Sequence, residues 1–169
     1  MKAEIYVPAL AESLEDLKVS YDLLEPARLK GFQTGLMIVI RPQGLSRERI
    51  QRQIDNLDYF LKKSADERPR VFGMHPNMPL SGPERLNFLT NPDWSEEYVR
   101  RGIEMVAKLP QELTPFTGRS ISFHLNTLIT SDKWMGNVNS WTKTFEIVLG
   151  RINNLADFGK GLGVSIAIE

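Results

Sequence analysis

Short apolar runs alternate with stretches of helical periodicity along the whole chain. Four segments repeat apolar residues at spacings of three and four, which is typical of amphipathic helices, and their stripes begin near Leu14, Ile50, Val99 and Phe145. Five apolar runs predict β-strands, over residues 3–7, 35–40, 70–74, 120–124 and 164–169. The predicted order is β-α-β-α-β-α-β-α-β, and strands that are separated by helices run parallel.

Polar, proline and glycine residues mark the predicted helix ends. Ser13 is placed to cap the first helix through its hydroxyl oxygen, and the second helix is predicted to begin at Ser46. We expect Pro26 to kink or interrupt the first helix, and Gly31 to follow its end. The third helix is predicted to begin near Ser95.

Composition and charge narrow the class of protein. The chain has 169 residues with no shift in composition, which predicts a single domain over residues 1–169. The absence of cysteine excludes disulfides, thiolate zinc sites and thiol catalysis. Lys and Arg number 21 and so do Asp and Glu, and this zero net charge makes nucleic acid an unfavoured partner. The basic residues around the second helix alternate with acidic ones, which is typical of a solvated helix face.

No segment predicts membrane insertion. The longest apolar run, residues 36–40, is too short to span a bilayer, and residues 1–4 do not fit a signal peptide. We therefore expect a soluble, cytoplasmic protein that binds no membrane.

The last three predicted strands end in the same pattern. Each carries a small residue, then a large apolar residue, then a side chain that can bind a metal: Gly73-Met74-His75, Ser122-Phe123-His124 and Ala167-Ile168-Glu169. Since strand side chains alternate between faces, each small residue shares a face with the polar residue that follows it by two. Large apolar residues would then pack outward on helices, as in a β/α barrel.

At the carboxyl ends of adjacent parallel strands, three such side chains can converge on one or two divalent cations. His75, His124 and Glu169 form a ligand set suited to Zn²⁺, Mn²⁺ or Co²⁺, with Mg²⁺ also considered and Zn²⁺ favoured if both histidines bind. An equally weighted interpretation makes the two histidines ordinary hydrogen-bonded strand-end residues, and Glu169 a solvated chain end.

Taken together, these motifs resemble the xylose-isomerase-like TIM barrels, a superfamily of sugar-phosphate isomerases and epimerases and of endonuclease IV-type apurinic endonucleases (AP endonuclease family 2). Residues 23–32 are similar to the family's first helix and second strand, and residues 72–76, 121–124 and 164–169 to its third, fourth and fifth strand motifs. The resemblance covers nearly the whole chain, and the order and spacing of short motifs carry it.

The resemblance implies roles for the three strand-end residues. Glu169 would bind the metal and, as in ketose epimerases, help to move the substrate proton. His75 and His124 would bind metal in the endonuclease branch and contact the sugar in the isomerase branch. His124 is followed by Leu125 and Asn126 rather than by the Pro and Gly usual in the endonucleases, which favours the isomerase branch.

Two residues of the loop after the fourth strand are further candidates for substrate binding. Trp134 is placed to stack on a sugar, or to pack beneath the loop. Asn126 is placed to hydrogen-bond a sugar hydroxyl, or to serve an ordinary turn.

A complete barrel needs about 250 residues, so the resemblance implies that we should expect the N-terminal part of one, a (β/α)8 type with only about five strands and four helices. The alternative fold is an open, five-stranded flavodoxin-like sheet, although no glycine-rich phosphate loop follows the first strand. An incomplete barrel exposes unpaired sheet edges, so we expect the chain to be marginally stable, to self-associate, or to be only part of the native molecule.

The leading functional hypothesis is a metal-dependent isomerase or epimerase of a small sugar or polyol. The alternatives are a zinc phosphodiesterase of the apurinic endonuclease type and a non-catalytic, truncated barrel.

Overall fold

The chain folds into a parallel β-sheet with helices in the connections between its strands. The computed structural model describes residues 4–40, 46–76, 88, 92–114, 119–123 and 138–168. The strands are β1 (Glu4–Ala9), β2 (Gln33–Ile40), β3 (Arg70–Pro76), β4 (Arg119–Phe123) and β5 (Val164–Ile168). The α-helices are α1 (Leu14–Asp22), α2 (Glu25–Leu29), α3 (Arg47–Asp58), α4 (Pro92–Ala107) and α5 (Val138–Gly161). The predicted mixed α/β class is therefore confirmed.

The five strands lie in the sheet in the order in which they occur in the chain. Every neighbouring pair is parallel, from β1 beside β2 through to β4 beside β5. A flavodoxin-like sheet has the order 2-1-3-4-5. The alternative flavodoxin-like prediction is therefore wrong in its strand order.

The two faces of the sheet differ in burial. Along β2, Leu36, Ile38 and Ile40 are buried, whereas the alternating residues Met37 and Val39 are only half-buried. Leu36 lies beside Val71 of β3, and Ile121 of β4 lies beside Ile166 of β5, so each strand contributes apolar side chains to the same face. This face contacts the helices and is called the helix face; the opposite one is called the open face.

The core lies between the helix face and the helices. It contains buried residues of the strands and of the four longer helices. The helix residues are Leu17 and Tyr21 of α1, Ile50, Ile54 and Leu57 of α3, Val99, Ile103 and Val106 of α4, and Val148 and Leu155 of α5. Gly102 lets α4 approach the sheet closely, because a Cβ atom there would lie 2.7 Å from Cδ1 of Ile121.

The helix starts agree with the sequence in two cases. The hydroxyl of Ser13 accepts a hydrogen bond from the backbone N–H of Asp16 at 3.2 Å, and that of Ser46 accepts one from Arg49 at 3.3 Å. The third predicted helix begins at Pro92 rather than near Ser95.

Pro26 does not kink a continuous helix. The first helix ends at Asp22, before the proline, and Pro26 lies in the first turn of the separate helix α2. A proline is tolerated there because the first backbone N–H groups of a helix have no intrahelical partner. Gly31, with φ of 76°, follows the end of α2 as expected.

Candidate functional site at the carboxyl edge of the sheet

His75 lies at the carboxyl end of β3 and is half-buried. It is level with Val39 of β2, whose neighbours Ile38 and Ile40 are both buried on the helix face. Strand residues alternate between faces, so His75 belongs to the open face. The sequence-based assignment of this histidine to a strand end, away from the helices, is confirmed.

A β-bulge in β3 sets this orientation. Leu36 pairs with Val71 and Ile38 pairs with Met74, so β3 uses three residues where β2 uses two. Val71 is buried on the helix face, although strict alternation backward from His75 would place it on the open face. The sequence-based alternation therefore holds at the end of β3 but does not extend back through the bulge.

The ends of β3, β4 and β5 lie side by side. Met74 is level with Ile121, and the next residue of each strand brings His75 level with Ser122. Ser122 in turn pairs with Ala167 of β5. Ser122 is half-buried and Ala167 is exposed, in agreement with the predicted small residues on the open face.

Four of the five predicted site residues fall outside the described residues. His124 and Glu169 directly follow the described parts of β4 and β5, and Asn126 and Trp134 lie between β4 and α5 in the chain. Within the residues that the structure describes, no group of three or more His, Cys, Asp or Glu side chains is gathered for a metal ion. The ligand set predicted from the sequence accordingly stays a prediction.

The open face carries small and polar side chains on β4 and β5, whereas β2 contributes the apolar Met37 and Val39 to it. Besides His75 it includes Ser120, Ser122, Ser165 and Ala167 on β4 and β5, by their register opposite to the buried Ile121 and Val164. At the amino end, Nη1 of Arg70 donates a hydrogen bond to Oε1 of Gln33 at 2.6 Å. The open face thus offers hydroxyl, imidazole and guanidinium groups beside a small apolar area.

Gly35 is the point where the open face is most crowded. A Cβ atom at this position would lie 2.7 Å from the backbone oxygen of Arg70 and 2.7 Å from Cε1 of Tyr6. The missing side chain therefore lets the Tyr6 ring lie across β2. This aromatic ring partly covers the amino-terminal half of the open face, away from His75.

Sequence reasoning missed an aromatic pair that anchors α4 at the carboxyl edge. Tyr98 Oη donates a hydrogen bond of 3.3 Å to the backbone oxygen of Ile40, the last residue of β2. Trp94 stacks on the Tyr98 ring with 5.2 Å between ring centroids and 15° between planes. Burial raises the pKa of the Tyr98 hydroxyl well above its ordinary value, so the hydroxyl remains a neutral donor. The i, i+4 spacing of the two aromatic residues at a helix start is the signal that could have revealed the pair.

The helix side of the molecule contains a separate cavity of about 510 Å³. It lies at the start of α3 and along α4, with Phe158 of α5 in its wall. Its charged lining is mixed: Arg47, Glu97, Arg100, Arg101 and Glu104. Nε of Arg101 donates a hydrogen bond of 2.6 Å to Oε1 of Glu97. The Arg100 guanidinium lies 4.7 Å from the centroid of the Phe158 ring. Because the opposing charges nearly balance, the cavity has no strong preference for an anionic or a cationic ligand.

The basic residues of α3 follow the predicted solvated pattern where their contacts are described. Arg52 forms an ion pair with Glu48 at 3.3 Å, and both side chains are exposed. No helix in the described part of the chain is long and apolar enough to cross a membrane.

Comparison with protein-family models, with curated proteins and with solved structures finds no match to this chain.

Proposed function

We propose that the chain is part of a β/α-barrel enzyme that isomerises or epimerises a small sugar or polyol with the help of a divalent metal ion. The observation that carries the proposal is the row of adjacent strand ends on the open face, with His75 at the end of β3 level with Ser122 and Ala167. In β/α barrels, catalytic groups come from the carboxyl ends of several different strands.

The sheet order supports a barrel rather than a flat sheet. Crossovers between parallel strands are right-handed in nearly all proteins, so a sequential order places all the helices on one side. Helices pack about 8–10 Å apart, but strands are only about 4.8 Å apart. A sheet with every helix on one side must therefore curl, so that the helices lie at a larger radius than the strands.

The strand-end residues fit a divalent metal. His75 offers an imidazole on the open face, and the paired ends of β4 and β5 lead directly into His124 and Glu169. Two imidazoles and a carboxylate would hold Zn²⁺, Mn²⁺ or Co²⁺. When bound, such an ion polarises a substrate carbonyl and stabilises the negative charge that forms when a neighbouring proton leaves.

In this proposal the protein side chains transfer the proton, hold the metal and bind the substrate. Glu169 accepts the proton from the carbon next to the substrate carbonyl and returns it to a neighbouring position or to the opposite face. His75 and His124 hold the metal or bind substrate hydroxyls, and Asn126 and Trp134, which follow β4 in the chain, bind the sugar. The small residues Ser122 and Ala167 leave room for the substrate above the open face.

Metal binding by the purified chain is the first test. Isothermal titration with Mn²⁺, Co²⁺ and Zn²⁺ should show one tight site that His124→Ala and Glu169→Gln each weaken at least tenfold. Glu15→Gln is a matched control, since Glu15 is exposed on α1, where its contact among the described residues is a 4.0 Å ion pair with Lys18. Equal affinity in all four proteins, or no binding, would overturn the metal site.

Activity separates the two enzymatic alternatives. The intact protein that contains this chain is loaded with metal and assayed with a panel of aldoses and ketoses and, separately, with a duplex that contains an abasic site. We expect turnover of a sugar that Glu169→Gln abolishes. Cleavage of the duplex that depends on His124, without sugar turnover, would replace the proposal with the phosphodiesterase alternative.

A further inference from the structure

One side of α4 contacts the two strands that flank β3, the strand that carries His75. The hydroxyl of Tyr98 donates its 3.3 Å hydrogen bond to the backbone oxygen of Ile40 in β2. Gly102, one turn further along the same side of α4, lets the helix approach Ile121 of β4. Because β3 lies between β2 and β4 in the sheet, α4 bridges the two neighbours of the His75 strand.

The Tyr98 contact lies next to the level of His75 in the sheet. Val39 of β2 is level with His75, and the following pair is Ile40 with Pro76. A proline has no backbone N–H, so Pro76 cannot donate a further hydrogen bond to β2. The hydroxyl of Tyr98 therefore holds the end of β2 at the point where the described pairing of β2 with β3 ends.

The Tyr98 side chain has little freedom to move. It is 5% exposed, and its ring stacks on Trp94 with 5.2 Å between the ring centroids. A side chain that is locked by packing can hold a neighbouring group within the narrow limits that a binding site requires. The Tyr98 hydroxyl is thus a fixed point from which the end of β2 is placed.

We propose that Tyr98 is a positioning residue for His75, which it orients through the end of β2 without touching the imidazole. This inference rests on the proposed function in that His75 belongs to the metal or substrate site. Without the Tyr98 hydroxyl, the end of β2 loses its anchor on α4, and the residue of β3 that is level with it loses part of its support. Loss of a supporting group around a metal site typically lowers the affinity for the metal about 10–100-fold. Since Tyr98 acts through backbone pairing, we expect a smaller decrease of about three- to tenfold in Tyr98→Phe.

Tyr21 provides a matched control at the opposite edge of the sheet. Its hydroxyl donates a 2.6 Å hydrogen bond to the backbone oxygen of Glu67, shortly before β3 begins. Tyr21 is 6% exposed, so it is buried to nearly the same extent as Tyr98. Tyr98→Phe and Tyr21→Phe each keep the ring and remove one hydroxyl donor from a backbone carbonyl. The two variants should therefore lose similar stability, whereas only Tyr98→Phe should affect His75.

NMR spectra of the metal-free protein test the positioning role. The intact protein that contains this chain is labelled with isotopes at histidine, and His75→Asn assigns the signals of His75. We expect Tyr98→Phe to shift the backbone amide and imidazole signals of His75, and Tyr21→Phe to leave them in place. His75 signals that are unchanged in Tyr98→Phe, or that shift equally in both variants, would overturn the proposal.

Isothermal titration of the same proteins with Zn²⁺ or Mn²⁺ separates this inference from the proposed function. Tyr98→Phe should weaken metal binding about three- to tenfold, and Tyr21→Phe less than about twofold. If neither variant nor the original protein binds metal, the proposed function fails, and the His75 signals still decide the positioning role. If all three proteins bind metal with equal affinity, the proposed metal site stands and the positioning role of Tyr98 is overturned.

Discussion

Replacing Gly35 with alanine is expected to destabilise the fold. The new Cβ atom would lie 2.7 Å from the backbone oxygen of Arg70 and 2.7 and 2.8 Å from Cε1 and Cδ1 of Tyr6. The ring can turn away, but the Arg70 carbonyl belongs to β3, so relief requires a shift of β2 against its neighbour. Overpacking of this kind typically costs about 1–3 kcal/mol. Alanine recovers about 0.5–1 kcal/mol through the lower entropy of the unfolded chain, which leaves a net loss of about 0–2.5 kcal/mol, with a midpoint near 1 kcal/mol.

Gly150→Ala provides the matched control for this substitution. Gly150 lies within α5 and is exposed, and beyond the helix's own backbone no described residue has an atom within 4 Å of an added Cβ. The same chemical change should therefore stabilise the chain by up to about 1 kcal/mol. Urea unfolding followed by circular dichroism gives both differences, provided that the slope with denaturant is unchanged. If Gly35→Ala proved as stable as the original chain while Gly150→Ala gained stability, the close approach of β1, β2 and β3 would be refuted.

Three further predictions concern single interactions. Tyr98→Phe should lower the free energy of unfolding by about 1 kcal/mol, because it leaves the Ile40 carbonyl oxygen without its hydroxyl partner. Because the pKa of Tyr98 is raised in the folded chain, the Tyr98 hydroxyl of the unfolded chain loses its proton at a lower pH, above about pH 10. The free energy of unfolding should therefore fall as the pH rises above about 10. Urea unfolding between pH 8 and 11 should show a shallower fall for Tyr98→Phe, and equal slopes would contradict this assignment. The hydroxyl of Ser64 donates a 2.8 Å hydrogen bond to the Glu67 carboxylate, and this bond is the main reason why the pKa of Glu67 is lowered. Ser64→Ala should therefore raise the pKa of Glu67. An NMR pH titration that shows the same pKa in both proteins would disprove the role of this hydrogen bond. Ser46→Ala should cost about 1 kcal/mol by removing the cap of α3, whereas Ser165→Ala, at an exposed strand position, should change stability much less.

Local signals in the sequence predicted most of the elements, because each signal acts over a few residues. The hydroxyl of Ser13 caps the helix that it was expected to cap, and the second helix begins directly after Ser46, where its start was expected. The alternation in β4 and β5 also holds, with Ile121 and Val164 buried and Ser165 exposed. In these strands a buried and an exposed face give the chain a period of two that can be read directly.

Features that depend on neighbouring strands could not be predicted in the same way. The bulge in β3 is defined by the register between Leu36–Ile38 and Val71–Met74, and no single strand contains that information. The strand order is likewise a property of the whole sheet, so the flavodoxin-like alternative could be rejected only from the observed pairing. The contact of Tyr98 with the Ile40 carbonyl joins residues that are far apart in the chain.

The candidate site was predicted in part. The position of His75 at a strand end on the open face followed from the apolar pattern and is confirmed. The convergence of His75, His124 and Glu169 on a metal ion depends on side chains beyond the described strand ends, and it remains a prediction.

The two histidines of the chain allow a direct test of that convergence. A proton NMR spectrum should contain two sets of imidazole ring signals, and His75→Asn and His124→Asn assign them. We expect substoichiometric Mn²⁺ to broaden both sets together, and Glu169→Gln to reduce the broadening of both. Signals of both histidines that stay sharp at stoichiometric Mn²⁺, or broadening that is unchanged in Glu169→Gln, would contradict a metal site shared by the ends of β3, β4 and β5.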